Sequence, residues 1–110
     1  METTLEMTIP CTLVVYRRWK DTADIIALFP EIVADIDGLY CLSYEHVGQH
    51  GGADYHSVIQ HTLPVTSKER AGLARELTLI GYDLKPIQRA SFRSHERRRR
   101  EAKRLREDTP

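Results

Sequence analysis

The chain has 110 residues, 41% of them hydrophobic, and 16 Lys/Arg balance 16 Asp/Glu. That length allows one small domain and excludes a multidomain enzyme; no apolar run approaches the roughly 20 residues that span a bilayer. The zero net charge hides an asymmetry, because residues 1–90 hold 8 Lys/Arg against 12 Asp/Glu while residues 91–110 hold 8 against 4. An acidic body of net −4 is followed by a basic segment of net +4.

Residues 1–10, METTLEMTIP, read as an extension with acids and without the basic flank of a secretory signal, and Met7 is a second candidate start. A cytoplasmic setting is expected, with Cys11 and Cys41 as separate thiols rather than a disulfide. No close cysteine pairing suggests zinc. The domain proper is expected over residues 11–90.

Thr12 to Trp19, TLVVYRRW, is β-rich, and its first half is apolar on both faces, which suits a strand inside a sheet. After a polar turn, Ile25 to Phe29 reads as a second strand ended by Pro30. Asp37-Gly38 signals a turn, and Leu39 to Val47 a third strand. Short connections between these strands favour an antiparallel meander. Beyond the glycine-rich GQHGG, Ala53 to Thr62 is read as irregular or short helical.

Thr66 and Glu69 form a capping box, Leu73, Leu77 and Ile80 recur at helical spacing, and Gly81 stands at a C-cap position. An amphipathic helix over Ser67–Ile80 follows, expected to pack on Val15, Ile26, Leu28 and Leu42. Tyr82 to Gln88 is a last strand, placed at an edge by Pro86. The expected fold class is α+β: an antiparallel sheet of about four strands in the order β-β-β-loop-α-β, with one helix across it. Residues 91–110 form a basic tail, helical or disordered. With only Ala102 and Leu105 as apolar candidates, its removal is expected to leave stability unchanged.

The densest chemistry is Tyr44 to His61, YEHVGQHGGADYHSVIQH, which holds four of the five histidines. A metal reading uses His46, His50, His56, His61 and Asp54, although Gly48, Gly51 and Gly52 oppose the helix that an H-x3-H pair requires. A hydrolytic reading pairs a histidine and Asp54 with Ser43, Ser57 or Cys41, without any nucleophile-elbow signature. A recognition-loop reading is preferred, with Tyr44, His46, Gln49, His50, Asp54 and Tyr55 facing a partner. A second set, Arg17, Arg18 and Lys20 around Trp19 with Arg97, Arg98, Arg99 and Arg100 of the tail, suits nucleic acid or an acidic partner. No motif calls for a cofactor.

The segments VVYRRWKDTADIIALFPEI, GLYCLSYEHVGQHGGADY and LARELTLIGYDLKP resemble a group of short uncharacterised proteins of bacterial plasmids, phages and integrated elements, over about residues 13–89. The resemblance implies an accessory role in the bacterial cytoplasm and supplies no catalytic residue. The expectation is therefore a non-enzymatic binding protein of mobile-element type, acting on a protein or nucleoprotein complex, with inhibition of a host-defence complex as one such role. Nucleic-acid binding through the tail is the alternative. No membrane partner is expected, and the oligomeric state, a homodimer included, is open.

Overall fold

The computed structural model describes residues 11–45 and 49–107. Its elements run β1 (Thr12–Trp19), β2 (Ile25–Val33), β3 (Cys41–Glu45), β4 (Gln49–Ala53), α1 (Tyr55–Gln60), β5 (Thr62–Pro64), α2 (Ser67–Ile80), β6 (Leu84–Pro86) and α3 (Phe92–Glu107). The architecture is α+β, with a largely antiparallel sheet in the order β4-β3-β2-β1-β5. The outer edge of β1 is shared: β5 runs antiparallel to Arg17–Trp19, while β6 runs parallel to Thr12–Val14. The expected order is present; α1 forms where a short helix was read, β4 is added in the glycine-rich loop and β5 directly after that helix.

β1 and β2 are apolar on both faces because both faces are covered. One face carries Val14, Tyr16, Ala27, Phe29 and Tyr44, packed with Leu73 and Leu77 of α2. The other carries Val15, Ile26, Leu28 and Cys41, packed with Tyr55 and Val58 of α1 and with Ala90. The helix–sheet partnership read from the sequence is therefore corrected by one position. Val15, Ile26 and Leu28 point away from α2, and only Leu42 keeps the side assigned to it. Adjacent strand residues face opposite ways, so in a strand apolar on both sides the sequence pattern cannot say which set meets the helix. Ile80 is exposed rather than packed, while the capping box of Thr66 and Glu69 forms as read.

Pro30 does not end β2. The register jumps from Phe29↔Leu42 to Val33↔Cys41, so the extra residues bulge out and the strand continues to Val33. A bulge accommodates a residue with no N–H to offer the ladder.

The largest correction concerns the C-terminal segment. α3 packs along β2 instead of lying outside the domain, and Ser94, His95, Arg98 and Ala102 are buried on its inner stripe. Arg98 is only 3% exposed. Its Nη1 donates to Pro30 O at 2.7 Å and its Nε to Gly38 O at 2.8 Å. Ser94 Oγ donates to Glu31 Oε2 at 3.0 Å. The stripe is polar, which is why an apolar-periodicity argument misses it.

Gly38, in the β2–β3 connection, lies close against α3. Its φ is +74°, and a Cβ there would lie 2.8 Å from Ala102 Cβ and 3.0 Å from Arg99 Cα. Gly38→Ala combines left-handed strain of about 1–2 kcal/mol with overpacking of about 1–3 kcal/mol, so a loss of about 2–4 kcal/mol is expected in chemical denaturation. Leu77→Ala, which empties a fully buried site, should cost about 2–5 kcal/mol. Ending the chain at Ser91 should cost at least as much as Leu77→Ala; an unchanged thermal midpoint would show that α3 is not part of the folded unit.

Candidate anion-binding cleft

A cleft of about 740 Å3 opens on the α1/α3 face of the sheet. Its floor is Arg17 on β1, Tyr55 on α1 and His95 on α3; its walls are His56 and Gln60 on one side, Gln88, Arg89, Phe92 and Arg99 on the other. Among the described residues no carboxylate lines it.

Each part has a local cause. Arg17 faces this side because β1 alternates, and its guanidinium is fixed by acceptors at the end of α1: Nε donates to Thr62 Oγ1 at 2.9 Å, and Nη2 to Thr62 O at 3.0 Å and Ile59 O at 3.3 Å. Thr62 Oγ1 in turn donates to Val58 O at 2.7 Å. Burial lowers the Arg17 pKa from its usual value, but an arginine at these depths keeps its charge. Asp54 starts α1 by accepting from Ser57 N at 3.4 Å, which is its N-cap role.

The segment carrying Arg89 is pinned at three points. Ile87 N donates to Val14 O at 2.9 Å, Ala90 N donates to Tyr55 Oη at 2.8 Å, and Ser91 Oγ accepts from Ser94 N at 3.2 Å where α3 begins. Tyr55, His56 and His95 form an aromatic cluster beneath it, with ring centroids 4.9 Å apart for Tyr55–His95 and 5.1 Å for His56–His95. His95 Nδ1 accepts from Arg98 Nη1 at 2.9 Å. Burial and the neighbouring Arg98 charge hold the His95 pKa at about 4, below the ordinary 6.5.

The residues singled out in the sequence are only partly brought together. In the arginine run, successive side chains turn by about 100°. Arg97 pairs with Glu31 at 3.5 Å, Arg98 turns into the protein, Arg99 enters the cleft and Arg100 faces outward. Arg98 is thus withdrawn from the set available to a partner. Strand alternation splits the other basic cluster likewise: Arg18 pairs with Glu69 of α2 at 3.6 Å on the opposite face, and Lys20 Nζ donates to Gln60 O at 3.1 Å. Trp19 Nε1 donates to Glu45 Oε2 at 2.8 Å, as a cover on the core edge.

Tyr44 and Tyr55, read as recognition residues, are core residues. Tyr44 donates to Glu76 on the α2 side. His50 reaches that same side, with Nε2 2.9 Å from Tyr82 Oη, and Tyr82 stacks on Phe29 at 4.9 Å. His46 lies outside the described residues, and Gln49 is placed by its backbone in β4. His61 Nδ1 donates to Ser57 O at 2.7 Å. Among the described residues no three of His, Cys, Asp and Glu converge to hold a metal ion. Ser43, His50, Asp54 and Ser57 line one pocket beside β3, β4 and α1. There Ser43 Oγ donates to Gly51 O, His50 Nε2 lies against Tyr82 Oη and Asp54 accepts from Ser57 N, while burial pushes the Cys41 thiol up to about 11.

The sequence reading missed Arg89, Phe92, Gln60 and Gln88. The usable signal was Arg89, Phe92 and Arg93 in close succession, an aromatic side chain interleaved with basic ones just before the charge run.

His95 supplies a pH test. Because its folded pKa is depressed, the unfolded chain binds the proton more readily, and stability falls as pH drops from 6.5 through about 4, then levels. His95→Gln keeps an acceptor for Arg98 but cannot titrate, so denaturation midpoints measured across that window should flatten. An identical slope in the variant would assign the titration elsewhere.

Comparison with family models, with curated proteins and with solved structures returned no match to this chain.

Proposed function

We propose that this chain is a non-enzymatic nucleic-acid-binding protein that grips phosphates with the α1/α3 cleft and the adjoining flank of α3. The observation that carries the reading is a cleft holding Arg17, Arg89 and Arg99 without one carboxylate, in a chain whose charges sum to zero. The flank of α3 continues it: Phe92, Arg99 and Lys103 are spaced to share one side of the helix with Glu96 among them, and neither Arg99 nor Lys103 is ion-paired among the described residues. The opposite flank neutralises itself through Arg97–Glu31 and Arg104–Glu101.

Asp24, Glu45, Glu69 and Glu76 line a second cleft, of about 450 Å3, between the sheet and α2. A polyanion therefore favours the cationic cleft over this one, which helps orient an encounter without net charge. Binding would draw on counterion release, each neutralised phosphate adding about 0.7 to the salt slope for a single strand and about 0.9 for a duplex. An accessory protein of plasmid or phage type, as the sequence resemblance implies, has use for such a grip on nucleic acid or on a nucleoprotein.

A protein partner is the second reading. It is favoured by Ile36, Leu39 and Tyr40, large apolar side chains exposed on the β2–β3 connection.

Fluorescence anisotropy with labelled random-sequence oligonucleotides, single- and double-stranded, tests the main reading. The wild type should bind with affinity that drops steeply between 50 and 200 mM salt, roughly as expected for a few phosphate contacts. Arg89→Gln/Arg99→Gln should weaken binding at least about tenfold and flatten the slope by about one and a half units. Arg97→Gln, on the self-neutralised flank, should change little. No binding of any oligonucleotide at low salt would overturn the proposal in favour of a protein partner.

A further inference from the structure

We infer that the cleft takes single-stranded rather than duplex nucleic acid, with one base stacked on Phe92; this inference rests on the nucleic-acid reading above. Phe92 is 71% exposed at the rim of the cleft, among the largest apolar exposures in the described chain. It belongs to no core cluster and to no ring pair within the described residues. A phenyl ring held in water is unfavourable to the free protein, and Phe92 contributes nothing to the fold that would offset it.

Its position is held while its ring is free. Phe92 is the first residue of α3, directly after Ser91, whose side chain accepts from Ser94 N at 3.2 Å. Ala90, on the other side of Ser91, is tied to Tyr55 at 2.8 Å. The ring therefore projects from a backbone fixed at both ends, beside Arg89 and one face of α3 from Arg99.

The chemistry around it is that of a single nucleotide unit. Arg89 and Arg99 offer planar guanidinium forks to the phosphates on either side of a base. Gln60 and Gln88 carry amides that both donate and accept, as the edge of a base requires. A volume of about 740 Å3 lies within the range of small-ligand sites, roughly 300–1,000 Å3. A duplex is excluded from this arrangement because its bases are stacked inside, and Phe92 reaches a base only when the strand is unpaired. Cationic grooves with aromatic platforms are the general solution for single strands.

The test compares a labelled single-stranded oligothymidylate with a hairpin duplex of equal length at fixed salt. The wild type should favour the single strand by at least about tenfold. Phe92→Ala should lose about tenfold for the single strand, within the range for one stacked base, while its hairpin affinity and its salt slope stay unchanged. Phe92→Trp should restore the preference, which a merely structural role would not do. Equal affinity for both probes with Phe92→Ala unaltered overturns the stacking inference and leaves the phosphate grip intact. Absence of salt-dependent binding to either probe overturns both.

Discussion

A guanidinium that cannot lose its charge sits inside this protein, and the fold is arranged to solvate it. Arg98 gives up water as α3 docks, and burial lowers its pKa without bringing it near neutrality. Among the described residues no carboxylate bonds to it. Backbone carbonyls take the place of water, those of Pro30 and Gly38 at short distance and that of Leu39 at 3.5 Å. Those carbonyls are free because of irregularities in the chain: Pro30 lies in the bulge of β2, and Gly38 in a turn of positive φ. A regular β2–β3 hairpin would have spent those oxygens on its own ladder. The bulge, the glycine turn and the docked helix are thus one device, and each makes sense only with the other two.

Docking α3 in this way divides labour between neighbouring residues. Arg98 is structural, while Arg99 is delivered to the cleft by the turn of the helix. Two adjacent positions of the same residue type therefore separate stability from ligand attraction. The sheet performs the same sorting at Arg17 and Arg18, one to each face. The two clefts differ in charge accordingly, cations lining the one beside α1 and α3 and carboxylates the one beside α2.

Local signals carried the fold class and several elements. The capping box, the leucine spacing and Gly81 placed α2 residue for residue, because caps and helical periods are written in short windows. Pro86 marked β6 as an edge strand, and among the described residues β6 pairs with β1 alone. What could not be read was which side of β1 and β2 meets which helix, since both sides are apolar. α3 was hidden for a related reason: its buried stripe is Ser94, His95, Arg98 and Ala102, and its energetic partners lie some 60–68 residues away in sequence. The histidine-rich stretch drew attention by composition, and β4 and α1 bring His50, Asp54 and Ser57 to one pocket while Tyr55 and His56 join the cleft. The cleft draws on residues 17, 55–60 and 88–99, a combination visible only after folding.

That spread along the chain bears on biosynthesis. Synthesis runs from the N-terminus and early segments begin to fold first, but Gly38 and Pro30 wait for Arg98, and Arg17 waits for Arg89 and Arg99. A nascent chain ending before residue 99 lacks the cleft's outer wall and leaves β2 without the full length of α3 along it. Until that helix docks, the carbonyls of Pro30 and Gly38 are left to water.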